Sequence, residues 1–146
     1  MRGIAIGIAV VLASWAMPVA AQKQILTLFD GACSAESNLG DGAPFVCNSA
    51  LMSSYSELNN RVAIVFLEKT GSTPVIGVSG VMNVDGNMRV DGVQYEVGKL
   101  IPATGRCAFT RKGRKIRAMH CEAATGAPGS ERRPTIEFTV TRENRL

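Results

Sequence analysis

The chain has no pair of cysteines spaced as CxxC, a single histidine, and no apolar run as long as the ~20 residues needed to span a hydrocarbon core. The missing CxxC removes the usual redox dithiol, and the cysteines and lone histidine show no zinc-ligand spacing. One histidine is also too little for most acid–base or nucleophilic sites, because a general base needs an orienting acid and a nucleophile held nearby. Apolar residues seldom recur three and four positions apart over ten or more residues, which excludes a helical bundle. Aromatic residues make up 5% of the chain and none is interleaved with clustered cations, so the stacking platform of a single-strand nucleic-acid binder is missing.

What the N-terminus does contain is one positive side chain, Arg2, followed by an uncharged apolar run from Gly3 to Ala13. Trp15, Met17 and Pro18 end that run, and Val19-Ala20-Ala21 places small residues where a signal peptidase reads. The pattern predicts a secretory signal over residues 1–21, cleaved before Gln22. No stop-transfer charges follow, and the first cysteine is Cys33, so neither a spanning helix nor a lipid anchor at the cut is expected. Residues 22–146 then form one domain. It is expected in the periplasm, without a stable membrane anchor, a cofactor or a metal.

All four cysteines, Cys33, Cys47, Cys107 and Cys121, follow the predicted cut. An even number in an oxidising compartment reads as disulfides. Four cysteines allow three connectivities, and the equal spacing of the two sequential pairs favours Cys33 with Cys47 and Cys107 with Cys121.

Short β-branched runs cut by glycine, asparagine and aspartate predict strands. They fall near Gln24–Phe29, Phe45–Ser53, Arg61–Leu67, Val75–Met82, Met88–Val90, Val93–Leu100, Gly105–Arg111, Lys115–Cys121 and Thr135–Arg142. Turns are expected at Gly40-Asp41-Gly42, Thr70-Gly71-Ser72, Asp85-Gly86 and Asp91-Gly92, and a helical piece at Ser53–Asn60. The fold class is all-β, a small antiparallel barrel or sandwich with two disulfide-closed loops.

The hairpin around Gly113 has the most specific local pattern. A register that sets Cys107 against Cys121 also sets Phe109 against Met119, Arg111 against Arg117, Ala108 against His120 and Arg106 against Glu122. Cys107, Phe109, Met119 and Cys121 then share one face, which is the expected core face. His120 points away from it and reads as an ordinary strand histidine, while Arg106 and Glu122 are placed to pair.

Oxygen-bearing clusters do not reach a metal-site pattern. Asp30, Glu36, Asn38 and Asp41 lack the spacing of a calcium loop, and Arg89 interrupts the series Asn83, Asp85, Asn87. Asp85 and Asp91 each precede a glycine and are explained as turn residues rather than as a glycosidase pair.

Charge is the one functional signal. Residues 22–57 hold one basic side chain against four acidic ones, whereas residues 106–146 hold ten against four. Five of those cations, Arg111, Lys112, Arg114, Lys115 and Arg117, lie within seven residues at the hairpin tip. Such a tip suits an acidic partner, an anionic glycan, a lipid head group or nucleic acid, and it is equally explained as a solvated, aggregation-resistant turn.

The signal, the two disulfide loops and the segments Gly105-Arg106-Cys107 and Met119-His120-Cys121 resemble small exported two-disulfide β-rich proteins of Gram-negative bacteria. Among these are periplasmic inhibitors of lysozyme and peptidoglycan hydrolases. The resemblance implies a non-enzymatic protein that binds and inhibits a cell-wall hydrolase. One inhibitor group carries Ser-Gly-x-x-Tyr; here Ser79-Gly80 is followed by Val81, Met82 and Asn83, so no binding residue is transferred. A net charge of +4 argues against a strongly basic lysozyme and allows a less basic bacterial hydrolase. The first alternative is a small-ligand carrier, because a barrel can enclose a cavity, and the second is an enzyme of unrecognised type.

Overall fold

The computed structural model describes residues 24–55, 60–68 and 73–146. The predicted signal over residues 1–21 and the turn at Thr70-Gly71-Ser72 lie outside the described residues. Eight strands follow one another: Gln24–Cys33 (β1), Ser49–Tyr55 (β2), Arg61–Glu68 (β3), Thr73–Met82 (β4), Met88–Glu96 (β5), Lys99–Lys112 (β6), Lys115–Thr125 (β7) and Thr135–Arg145 (β8). Each pairs antiparallel with the next, and β8 pairs back onto β1, so the sheet closes as a barrel. Closure leaves no edge strand at the two ends of the sheet, which settles barrel against sandwich. No helix occurs among the described residues.

Strand alternation explains the core. β3 reads Val62, Ile64, Phe66 inward and β8 reads Ile136, Phe138, Val140 inward, each two residues apart. The rings of Phe66 and Phe138 come from non-adjacent strands and meet edge-to-face, centroids 5.8 Å apart. Phe29, Ile76, Met88, Val90, Val93 and Met119 fill the space around them. The barrel interior is therefore a packed core.

Several expectations need correction. Ser53 to Tyr55 belong to β2 rather than to a helix, and residues 56–59 lie outside the described residues. β2 starts at Ser49 instead of Phe45, because Phe45 to Asn48 are taken up by the end of the first disulfide loop. Asp91-Gly92 is not a turn: β5 runs straight through it with a register shift, and the chain reverses instead at Val97-Gly98, where Gly98 has φ +82°. The reason is tertiary. Asp91 receives a two-pronged hydrogen bond from Arg61 of β3 at 2.8 and 3.0 Å, which holds it within the wall. Nine expected strands thus become eight.

Two glycines let neighbouring strands approach closely. A Cβ on Gly80 would lie 1.9 Å from the Arg89 carbonyl oxygen, and one on Gly105 would lie 2.0 Å from that of Glu122. Any side chain there would push β4 from β5 or β6 from β7.

Both disulfides form as the spacing indicated, Cys33 with Cys47 and Cys107 with Cys121. Disulfides of this kind persist in oxidising compartments. The first closes loop 34–46, which is further fixed by Arg132. Its guanidinium lies 3.8 Å from the Tyr95 ring centroid, donates to the Leu39 carbonyl at 2.8 Å and pairs with Asp41 at 3.1 Å.

Candidate functional site

The β6–β7 hairpin is the part of the wall in which the sequence concentrates cations, and its geometry starts from the turn. Gly113 has φ +63° while Arg114 stays at negative φ, the pattern of a two-residue type II′ turn with glycine first. The register follows the expected one from Arg106–Glu122 through Cys107–Cys121, Ala108–His120 and Phe109–Met119 to Thr110–Ala118. It then shifts, so that Arg111 faces Ile116 and not Arg117. Ile116 and Met119 are both buried although three residues apart, which strict alternation forbids. A bulge at Arg117 resolves the conflict by keeping Ile116 inside and turning Arg117 outward. Glu143 of β8 accepts the Ile116 N–H at 2.9 Å and secures that irregular backbone.

Arg111, Lys112, Arg114, Lys115 and Arg117 are all exposed. Arg111 donates to the Gly86 carbonyl at 3.0 Å and lies over the Phe109 ring at 5.4 Å, which ties the hairpin to the β4–β5 turn. Lys112, Arg114, Lys115 and Arg117 have no ion-pair partner among the described residues. The tip is thus a firmly held group of uncompensated positive charges, anchored below by the disulfide and above by Arg111.

His120 is less ordinary than its sequence context indicates. On the outer wall its Nδ1 lies 2.5 Å from Glu137 Oε1 of β8, and its Nε2 lies 2.8 Å from Glu122 Oε1 on its own strand. Both nitrogens can donate only as the imidazolium. The Glu122 hydrogen bond raises its pKa most, Glu137 adds to it, and partial burial opposes both. Glu122 is therefore taken by His120, and the expected Arg106–Glu122 pair does not form despite the facing register. Sequence reasoning missed Glu137 because it is seventeen residues away; only the β7–β8 register makes it the cross-strand neighbour of His120.

A raised histidine pKa adds stability that is fully present below the unfolded value near 6.5 and is lost as pH rises through the higher folded value. Comparing thermal midpoints of the native protein and His120→Gln from pH 5.5 to 9 checks this. The native advantage is expected to shrink across the upper part of that range; parallel curves would remove the linkage.

Several of the oxygen-bearing residues considered for calcium have other partners. Asp41 Oδ1 accepts the Ala43 N–H, Asp85 Oδ1 accepts that of Asn87, Asn38 Oδ1 accepts that of Gly40, and Asp30 pairs with Arg142. A groove of about 650 Å³ opens on the outer wall and is lined by Leu28, Asp30, Asn48, Leu67 and Arg142 among others. No group of three or more metal-ligating side chains occurs among the described residues. No protein-family model, curated protein or solved structure matches this chain.

Proposed function

We propose that this protein is a periplasmic, non-enzymatic binding module that attaches to an acidic surface of a peptidoglycan hydrolase and lowers its activity. The observation that carries this reading is the β6–β7 tip, where Lys112, Arg114, Lys115 and Arg117 are exposed and form no ion pair among the described residues. A hairpin whose strands are tied by a disulfide loses less backbone entropy on binding than a free loop would. Two disulfides agree with an exported location. The packed interior favours binding at the surface over the carrier alternative, which requires internal volume.

The test is inhibition of purified periplasmic muramidases acting on peptidoglycan. Arg114→Glu with Lys115→Glu is expected to weaken inhibition at least about tenfold at low salt, since attraction becomes repulsion. Raising ionic strength to ~0.15 M, where the Debye length is about 8 Å, is expected to weaken the native protein too. Arg114 lies in the turn and Lys115 at the exposed first position of β7, both outside the core, so the thermal midpoint stays unchanged. Equal inhibition by the two proteins would clear the tip, and no inhibition by the native protein would remove the hydrolase reading.

A further inference from the structure

The outer wall carries two arginines that form no ion pair among the described residues. Arg89 of β5 and Arg106 of β6 are Cα partners across the ladder, and both are exposed. Their chain neighbours Met88, Val90 and Cys107 are buried, so both guanidinium groups leave the barrel on the same side. Like charges set directly opposite one another destabilise a sheet. The rung offers one remedy: beyond Arg89 stands Val81 of β4, and beyond Arg106 stands Glu122 of β7. Glu122, however, gives its carboxylate to His120, and neither arginine has an ion pair among the described residues. Two shallow grooves meet at Arg106. One, of about 300 Å³, includes Thr104, Glu122, Arg133 and Thr135; the other, of about 160 Å³, includes Arg89, Asn83, Asp85 and Asn87.

We propose that Arg89 and Arg106 form a carboxylate-binding site on the outer wall, kept open by His120, which holds Glu122 away from Arg106. The proposal rests on the reading above in one respect: the carboxylate belongs to the acidic protein partner that the hairpin tip meets. From Arg106 to Lys112 β6 covers roughly 20 Å at ~3.3 Å per residue, so a partner segment lying along it meets the arginine pair and the tip together. Guanidinium groups suit this task because each offers a planar fork that matches a carboxylate.

The control by His120 follows from its two bonds. The charged groups that act on it are Glu122 on β7 and Glu137 on β8; β6 presents Ala108 directly opposite and Arg106 two residues on, opposite Glu122. Arg117 lies three residues back along β7, and Ser37 of the first disulfide loop reaches only the Glu137 backbone. Losing a proton leaves the imidazole one N–H, which in this reading stays with Glu137, the less exposed of the two carboxylates and so the costlier to leave without a partner. Glu122 is then released to turn to Arg106 and competes with the incoming carboxylate. Affinity therefore falls as pH rises through the histidine pKa.

Arginine ¹³Cζ resonances of the folded, oxidised protein, titrated at constant ionic strength with sulfate and with an acetylated tetra-aspartate amide, test this. Both probes keep their charge between pH 6 and 9. Saturable shifts are expected at Arg89 and Arg106 at pH 6, weaker by about threefold or more at pH 9 and about tenfold weaker in Arg106→Gln. Glu122→Gln removes the competing charge and is expected to bind equally at both pH values. Unsaturated shifts spread over all arginines overturn the site, sulfate binding without tetra-aspartate binding overturns the carboxylate assignment, and equal native affinity at both pH values overturns the role of His120. Peptide binding at the pair without inhibition of any muramidase supports the site and removes only the hydrolase reading.

Discussion

Replacing Phe66 by alanine is expected to lower the unfolding free energy by about 3–5 kcal/mol. Phe66 is fully buried, points inward from the middle of β3 and meets the Phe138 ring edge-to-face. Removing it deletes both the transfer free energy of the ring and the packing of the side chains around it. In a closed barrel every strand is tied to two neighbours, so the wall cannot collapse far into the gap. Denaturant titration of the two proteins measures the difference. A loss below ~1.5 kcal/mol would contradict a packed interior, because only a partly empty barrel repacks so cheaply. The same variant provides a second readout: a dry cavity left by the ring is expected to bind a small apolar molecule that the native protein excludes.

The second large effect is expected from Cys107→Ala combined with Cys121→Ala. Opening a loop of about 15 residues removes ~3 kcal/mol in the chain-entropy model. Both sulfur atoms are also buried in the core beside Phe109 and Met119, so their loss leaves unfilled volume. The ladder hydrogen bonds of the hairpin remain, and the variant is expected to fold with a lower denaturation midpoint and to exchange the amides near Arg111 to Arg117 faster. An unchanged midpoint would show that the strand pairing alone holds this hairpin. The bridge thus contributes twice, to global stability and to the stiffness on which the charged tip depends.

The hairpin was the most legible part of the chain, since its pattern is local. Cys107, Phe109, Met119 and Cys121 fix a face and a register within fifteen residues, and the structure keeps that register through Thr110. What failed there was parity beyond Thr110. Ile116 and Met119 are apolar three residues apart, a visible sign that a bulge is required if both are to be inside. Asp91-Gly92 misled for the opposite reason: its local chemistry is that of a turn, and only Arg61, thirty residues upstream, holds it in a strand. His120 reads as an ordinary strand histidine in the sequence because neither its own strand nor the facing strand β6 suggests the role of Glu137.

Sequence by itself determined the strand-rich class, the turns at Gly40-Asp41-Gly42, Asp85-Gly86 and Gly113 and the concentration of charge at one hairpin, and it favoured the two local disulfide pairs among three connectivities that only the structure decides. These depend on side-chain alternation, backbone preferences at glycine and short loop closure, all of which act over a few residues. Tertiary structure alone decided that the sheet closes through β1 and β8, whose pairs include Thr27 with Arg145. It alone set Arg89 beside Arg106 and turned Glu122 toward His120. Closure depends on the accumulated twist and stagger of eight strands, and the outer-wall clusters depend on which strands become neighbours, so neither is written in any single stretch of the chain.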